Sequence, residues 1–266
     1  RIVKDWEISV WGVRGSAPVP SKEFMEYGGN TSCFSVKKEN HVIIFDMGTG
    51  LTVLGRELIK KKIMRFDILL SHLHIDHLLG LFSFQPLFCP EIEIHLYGRI
   101  GLEGNIRKLL SPPWYPLGVE DFSAKIYFHE IEPEKNFYID KFQVSTIKGN
   151  HPNGSILYRL DCDGKSFTHA LDCECDKKTF LRLTKFAYGS DLMVWDSYFI
   201  EEDFKKGWGH STWKQGIEIA HEADIEHILM AHYNSEYTDS FLYEQEKIAC
   251  EDRICIFSKE GMRLRI

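Results

Sequence analysis

The chain lacks any apolar run that approaches the length of a bilayer-spanning helix. It also lacks an excess of positive charge. Its 32 Lys and Arg against 39 Asp and Glu leave a net charge of −7, which argues against a protein whose main task is gripping nucleic-acid backbone. A local basic cluster, Lys60, Lys61, Lys62 and Arg65, reads as a solvated helix face. No disulfide framework is visible, because the seven cysteines are odd in number and irregularly spaced. Free thiols in a reducing cytoplasm account for them. The opening residues, RIVKDWEISV, alternate like a strand and do not resemble a secretory leader. Low-complexity segments and short-period repeats are absent. What remains is ordinary globular composition, 44% hydrophobic and 27% charged. A single domain over residues 1–266 is expected, with no membrane partner and a cytoplasmic location.

Short strand-like runs alternate with helical patterns along the whole length. WEISVW, SCFSVKK and HVIIFD read as successive strands, and FDILLS as a short buried one. Leu51, Leu54, Leu58 and Ile59 fall at helical spacing. LLGLFSFQPLF is expected to be a helix ended near Pro86. Further strands are expected at IEIHLY, AKIYFHEI, FQVSTIK, SILYRLDCD, KSFTHALD, DLMVWDS and HILMAH. STWKQGIEIAHEA reads as a helix with Ser211 or Thr212 as its cap, and a last helix near 240–250 precedes the strand ICIFS. Strand-rich halves on either side of residue 130 each gain helices toward their ends. Two packed sheets with helices outside are therefore expected. SPPWYPLGVED, with Trp114 and Tyr115, reads as a long loop lining either a pocket or a subunit contact of a homodimer.

The chemistry concentrates in LLSHLHIDHLLG, residues 69–80. On an extended backbone, residues two apart share a side, so His72 and His74 present their imidazoles together at a strand end. Asp76 and His77, on the turn that follows, face a second point nearby. Imidazole and carboxylate suit zinc, iron or manganese, and two such points suit a dinuclear centre with ions about 3.5–4 Å apart. Isolated histidines are usually hydrogen-bonded or exposed, but four ligand-type side chains in six residues exceed that background. Other strand ends offer His151 in KGNHPNGS, Asp172 at the end of SFTHALD and His232 at the end of HILMAH. A bridging role suits the carboxylate of Asp172. Asp46, in FDMGTG, is a candidate to orient a ligand imidazole by hydrogen bond. Cys173 and Cys175 read as structural or supporting residues, since Cys-x-Cys without a second pair is weak evidence for zinc.

HLHIDH after an apolar strand, followed by His151, Asp172 and His232, resembles the H-x-H-x-D-H motif of the metallo-β-lactamase superfamily. WGVRGSAPVP, YGGNTSC and FDMGTG resemble one bacterial branch of it. The resemblance implies a four-layer αββα sandwich of α/β class. It also implies one metal on His72, His74 and His151, a second on Asp76, His77 and His232, and Asp172 between them. GWGHSTWKQ resembles the segment in tRNase Z and related phosphodiesterases where a histidine approaches the scissile phosphate, which would make His210 a proton donor. No long Gly/Pro-rich arm of the tRNase Z type is visible.

Two functions follow from the resemblance. The preferred expectation is a di-iron oxygen sensor that holds oxygen as a peroxide between the ions. Its partners would be a cytoplasmic chemoreceptor and histidine kinase, and nucleic acid is disfavoured as a partner. The alternative is a zinc or manganese hydrolase acting on phosphodiesters, of tRNase Z or cyclic-nucleotide phosphodiesterase type. In that enzyme Asp76 orients a metal-activated water and His210 protonates the leaving group.

Overall fold

The computed structural model describes residues 5–266. Fourteen strands fall into two seven-stranded sheets. The first is ordered β14-β1-β2-β3-β4-β5-β6, made of Arg263–Arg265, Glu7–Gly12, Cys33–Lys38, His41–Phe45, Arg65–Leu69, Glu93–Arg99 and Lys125–Ile131. The second is ordered β13-β12-β11-β10-β9-β8-β7, made of Cys255–Phe257, His227–Ala231, Leu192–Asp196, Lys165–Ala170, Ser155–Cys162, Phe142–Gly149 and Phe137–Ile139.

Alternation along the strands builds the layers. In β3, Ile43 and Phe45 point into the core between the sheets, while Val42 and Ile44 point outward. Outward residues pack beneath α1 (Leu51–Lys60), whose Leu51, Leu54 and Leu58 form its buried stripe. Around the second sheet, α3 (Lys177–Phe186) contributes Leu183 and α4 (Trp213–Glu222) contributes Ile219 and Ala220 to the main core. Helices α2 (Leu102–Leu109) and α5 (Asp239–Ala249) complete the set. This is the expected sandwich of two sheets with helices outside.

Strands β3 to β6 run parallel, as do β10 to β13. Strand β8 shares the direction of β10, because each is antiparallel to β9. The carboxyl ends of these strands therefore meet at one rim, where open parallel sheets bind their ligands. Residues 79–88 depart from the expected helix. They form two 3-10 stretches, Leu79–Ser83 and Gln85–Phe88, joined by an extended Phe84. Pro86, in the first turn of the second stretch, has no N–H to carry an α-helical ladder through. Among the described residues, no helix is long and apolar enough to cross a membrane.

Candidate metal centre

Each ligand-type side chain leaves a strand end at the shared rim. The chain passes from β4 through Ser71 and His72 to a single 3-10 turn, Ile75–His77, which turns Asp76 and His77 inward. His151 follows β8, Asp172 follows β10 and His232 follows β12. Asp46, Asp172 and His232 each adopt a left-handed backbone, with φ of 63°, 54° and 61°. Such conformations cost on the order of 1–3 kcal/mol when non-glycine residues hold them, and they cluster at functional sites. Here they fall where three strands end, at residues whose own side chains reach the centre.

The seven residues singled out from the sequence converge. His72, His74 and His151 present ligand atoms within 4.8 Å of one another, as do Asp76, His77 and His232. Asp172 lies between the groups. Its Oδ1 is 3.2 Å from His232 Nε2, 3.4 Å from His151 Nε2 and 3.7 Å from His72 Nε2, and its Oδ2 is 2.9 Å from His77 Nε2. Only eight buried side-chain nitrogen or oxygen atoms among the described residues have no hydrogen-bond partner. Four of them are His72 Nε2, His77 Nε2, His232 Nε2 and Asp172 Oδ2. His77 Nε2 and Asp172 Oδ2 approach closely yet lack hydrogen-bond geometry, as groups do when both aim at a third point. Buried polar atoms are seldom left unpaired, so this convergence fits a pair of cations.

The far nitrogen of each imidazole is held. His77 Nδ1 is 2.9 Å from Asp46 Oδ2, and Asp46 also accepts from Ser71 N at 2.7 Å and from Ser71 Oγ at 2.9 Å. His72 Nδ1 meets Ser71 Oγ at 2.9 Å, and His232 Nδ1 meets Ser32 Oγ at 2.8 Å. His151 Nδ1 bonds Gly209 O at 2.7 Å. Gly209 itself is held by Glu174, whose Oε2 accepts from Gly207 N at 2.6 Å and Gly209 N at 3.1 Å. Gly209 has φ of 82°, and a Cβ there would collide with His151 Nδ1, so glycine is required. His74 is reversed: Nε2 lies 3.3 Å from Asn153 Nδ2, and Nδ1 faces His151 Nε2 at 3.1 Å.

Electrostatics agree with this geometry. Burial disfavours a charged His77, but Asp172, Asp76 and Asp46 outweigh it and hold its pKa well above the ordinary imidazole value. Burial and the neighbouring His77 push His72 well below that value. Asp172 is buried, yet His232, His77 and His72 hold its carboxyl well below the usual range. A proton on His77 thus supplies positive charge at the place where a divalent cation would supply more.

His210 stands at the edge of the centre, with Nδ1 2.8 Å from Asp196 Oδ2 and 4.0 Å from Asp172 Oδ1. Burial works against its charged form, but Asp196 prevails and raises its pKa to about 9. Tyr198 stacks on its ring at 4.3 Å, and the Tyr198 hydroxyl bonds Ser16, whose backbone N–H donates to Asp76 at 3.0 Å. Asp196, Glu174, Ser71 and Ser32 were not anticipated from the sequence. For Asp196 a signal existed, since it ends an apolar strand as Asp46 and Asp172 nearly do.

The β-lactamase superfamily domain model matches residues 41–233, which hold every one of these side chains except Ser32 and Ser16. The chain belongs to this superfamily. Among curated relatives, ribonuclease Z of Picrophilus torridus is 24% identical over 88% of this chain and 87% of its own length. Ribonuclease Z of Lactococcus lactis is 26% identical over 87% and 90%. The structure of YhfI from Bacillus subtilis, a metallo-β-lactamase fold protein, superposes with a TM-score of 0.78 at 16% identity, covering 99% of this chain and 100% of that one. At that identity the likeness shows the fold alone.

These relatives correct the preferred functional expectation. Whole-chain likeness runs to ribonuclease Z, so the oxygen-sensor reading is withdrawn, together with its di-iron peroxide ligand, chemoreceptor and histidine kinase. Nitrogen and oxygen ligands accept iron or zinc alike, so the ligand set had no power to choose between them. The expectation that nucleic acid is disfavoured as a partner is withdrawn as well. Net charge sums over the whole surface, whereas a phosphate is attracted by the local field of its site.

Proposed function

We propose that the protein is a metal-dependent hydrolase of phosphodiester bonds, with RNA as its substrate class. The observation that carries this reading is the convergence of four unpartnered buried ligand atoms, from His72, His77, His232 and Asp172, beside a histidine poised to donate a proton. Kinship with ribonuclease Z supports the substrate class. Alignments with both relatives extend over 290 positions, more than the 266 residues here, so those enzymes carry segments without a counterpart in this chain.

In this reading His72, His74 and His151 would hold one cation, Asp76, His77 and His232 would hold the other, and Asp172 would be shared between them; zinc suits the donor set. Bound cations would supply Lewis acidity toward the phosphoryl oxygens and would lower the pKa of a water. Asp76, braced by Ser16 N, orients that water toward phosphorus. As the water oxygen bonds to phosphorus it releases a proton to solvent, and the phosphorus–oxygen bond to the leaving group breaks. His210 gives its Nε2 proton to the departing alkoxide. Asp196 holds the ring at Nδ1 and keeps it protonated near neutral pH.

Purified protein loaded with zinc or manganese is expected to cleave bis-p-nitrophenyl phosphate and to lose this activity on chelation. Two equivalents of bound metal with no phosphodiester turnover would refute the reading.

A further inference from the structure

Beside His72 and His74 lies a cavity of about 300 Å³. Leu70, Leu73, Ile100 and Leu102 form aliphatic walls, and Arg99 and Asn153 form a polar side. Ile100 is 72% exposed and Leu73 38%, so apolar surface is presented to solvent at the edge of a metal centre. Arg99 ends β5 in the first sheet and reaches the loop after β8 in the second, where Nη1 donates to Asn153 O at 2.7 Å. Gly154 makes that reach possible, since a Cβ there would stand 2.5 Å from Arg99 Nη1. One donor of the guanidinium is used on this backbone carbonyl. The rest of its planar fork, permanently charged, remains at the cavity.

We propose that this cavity receives one nucleobase beside the scissile bond, and that Arg99 grips the neighbouring phosphate of an RNA strand. The inference rests on the hydrolase reading for its orientation toward the metal centre. At about 300 Å³ the cavity sits at the small end of ligand pockets, room for one ring system and not for a duplex. Aliphatic side chains cover the flat faces of a heterocycle, and a guanidinium matches phosphate oxygens bidentately. In a chain with a net charge of −7, a cation committed only to a backbone carbonyl, between apolar walls and metal ligands, is suited to a substrate anion.

Fluorescence anisotropy of a labelled RNA trinucleotide on the metal-free protein reads this subsite without turnover. Arg99→Ala is expected to weaken binding at least tenfold and to reduce the slope of log affinity against log salt by about 0.7, the mark of one lost phosphate contact on a single strand. Arg99→Lys should keep most of the slope. Ile100→Trp, at an exposed position, should weaken binding by filling the mouth. Elemental analysis checks that each variant still holds zinc. Wild-type protein that fails to bind the trinucleotide overturns the proposal. So does an Arg99→Ala loss with the salt slope unchanged, which would mean that Arg99 only braces the loop. RNA binding without turnover of any phosphodiester keeps the subsite and removes the hydrolase. Turnover of bis-p-nitrophenyl phosphate without RNA binding does the reverse.

Discussion

Asp46→Asn tests the design of the metal centre without touching a proposed ligand. Three donors converge on the two carboxylate oxygens of Asp46, namely Ser71 N, Ser71 Oγ and His77 Nδ1. An asparagine offers one acceptor oxygen and one NH2 group in the same shape. If the oxygen stays with Ser71, the amide N–H faces His77 Nδ1, which must then accept. That tautomer carries its proton on Nε2, the atom that points at Asp172 and the proposed cation. Asparagine tolerates the left-handed φ of 63° at this position as aspartate does, so backbone strain does not confuse the result. Loss of such an outer partner typically costs about 10–100-fold in metal affinity, or about 1.4–2.8 kcal/mol. Zinc titration against a chromophoric chelator should show one of two equivalents weakened by that factor. Circular dichroism would check that the fold persists. Weakening of neither equivalent would refute the role of Asp46 in orienting His77.

Asp172→Asn should lower metal content more than His169→Ala, since Asp172 contacts four ligand imidazoles while His169 stacks on Phe45 behind them; elemental analysis decides, and equal losses contradict the bridging role. His210→Ala should keep two metals and lose about 10²–10⁴-fold in kcat, the usual weight of a general acid. The pH profile offers a finer test of the same group. A pKa raised to about 9 keeps His210 protonated below that pH, so activity should fall as pH rises through it. Asp196→Asn removes the raising carboxylate and should move this alkaline limb downward. Thr212 caps α4 with a box that includes Gln215, so Thr212→Ala should cost about 1 kcal/mol in urea denaturation.

Local pattern explains what could be read from the sequence. HLHIDH declared itself because a strand end and a tight turn place side chains by spacing alone. The cap at Thr212 and the stripe of α1 are local in the same way. What escaped depends on distant partners. Arg263–Arg265 is too short and too charged to look like a strand, and it exists as one because β1 pairs with it. Helices α2 and α3 are polar enough that their patterns fade between strands; α2 buries only Leu102 and Ile106. Asp196 looked like an ordinary strand terminus until the fold brought His210 against it. Asp67, in the strand Arg65–Leu69, proved to be buried against His41 and Tyr97.

The ligand-bearing turn after β4 belongs to one sheet, whereas His151, Asp172 and His232 extend from the other. A cation gripped from both sides would rivet a seam between two halves that are also joined by apolar contact and by hydrogen bonds such as Tyr158 Oη to Leu70 O. Ligand present at a hundred times its dissociation constant adds about 2.7 kcal/mol to folding stability. On the proposed function, cellular supply of the metal would then govern how long the polypeptide survives as well as how fast it works.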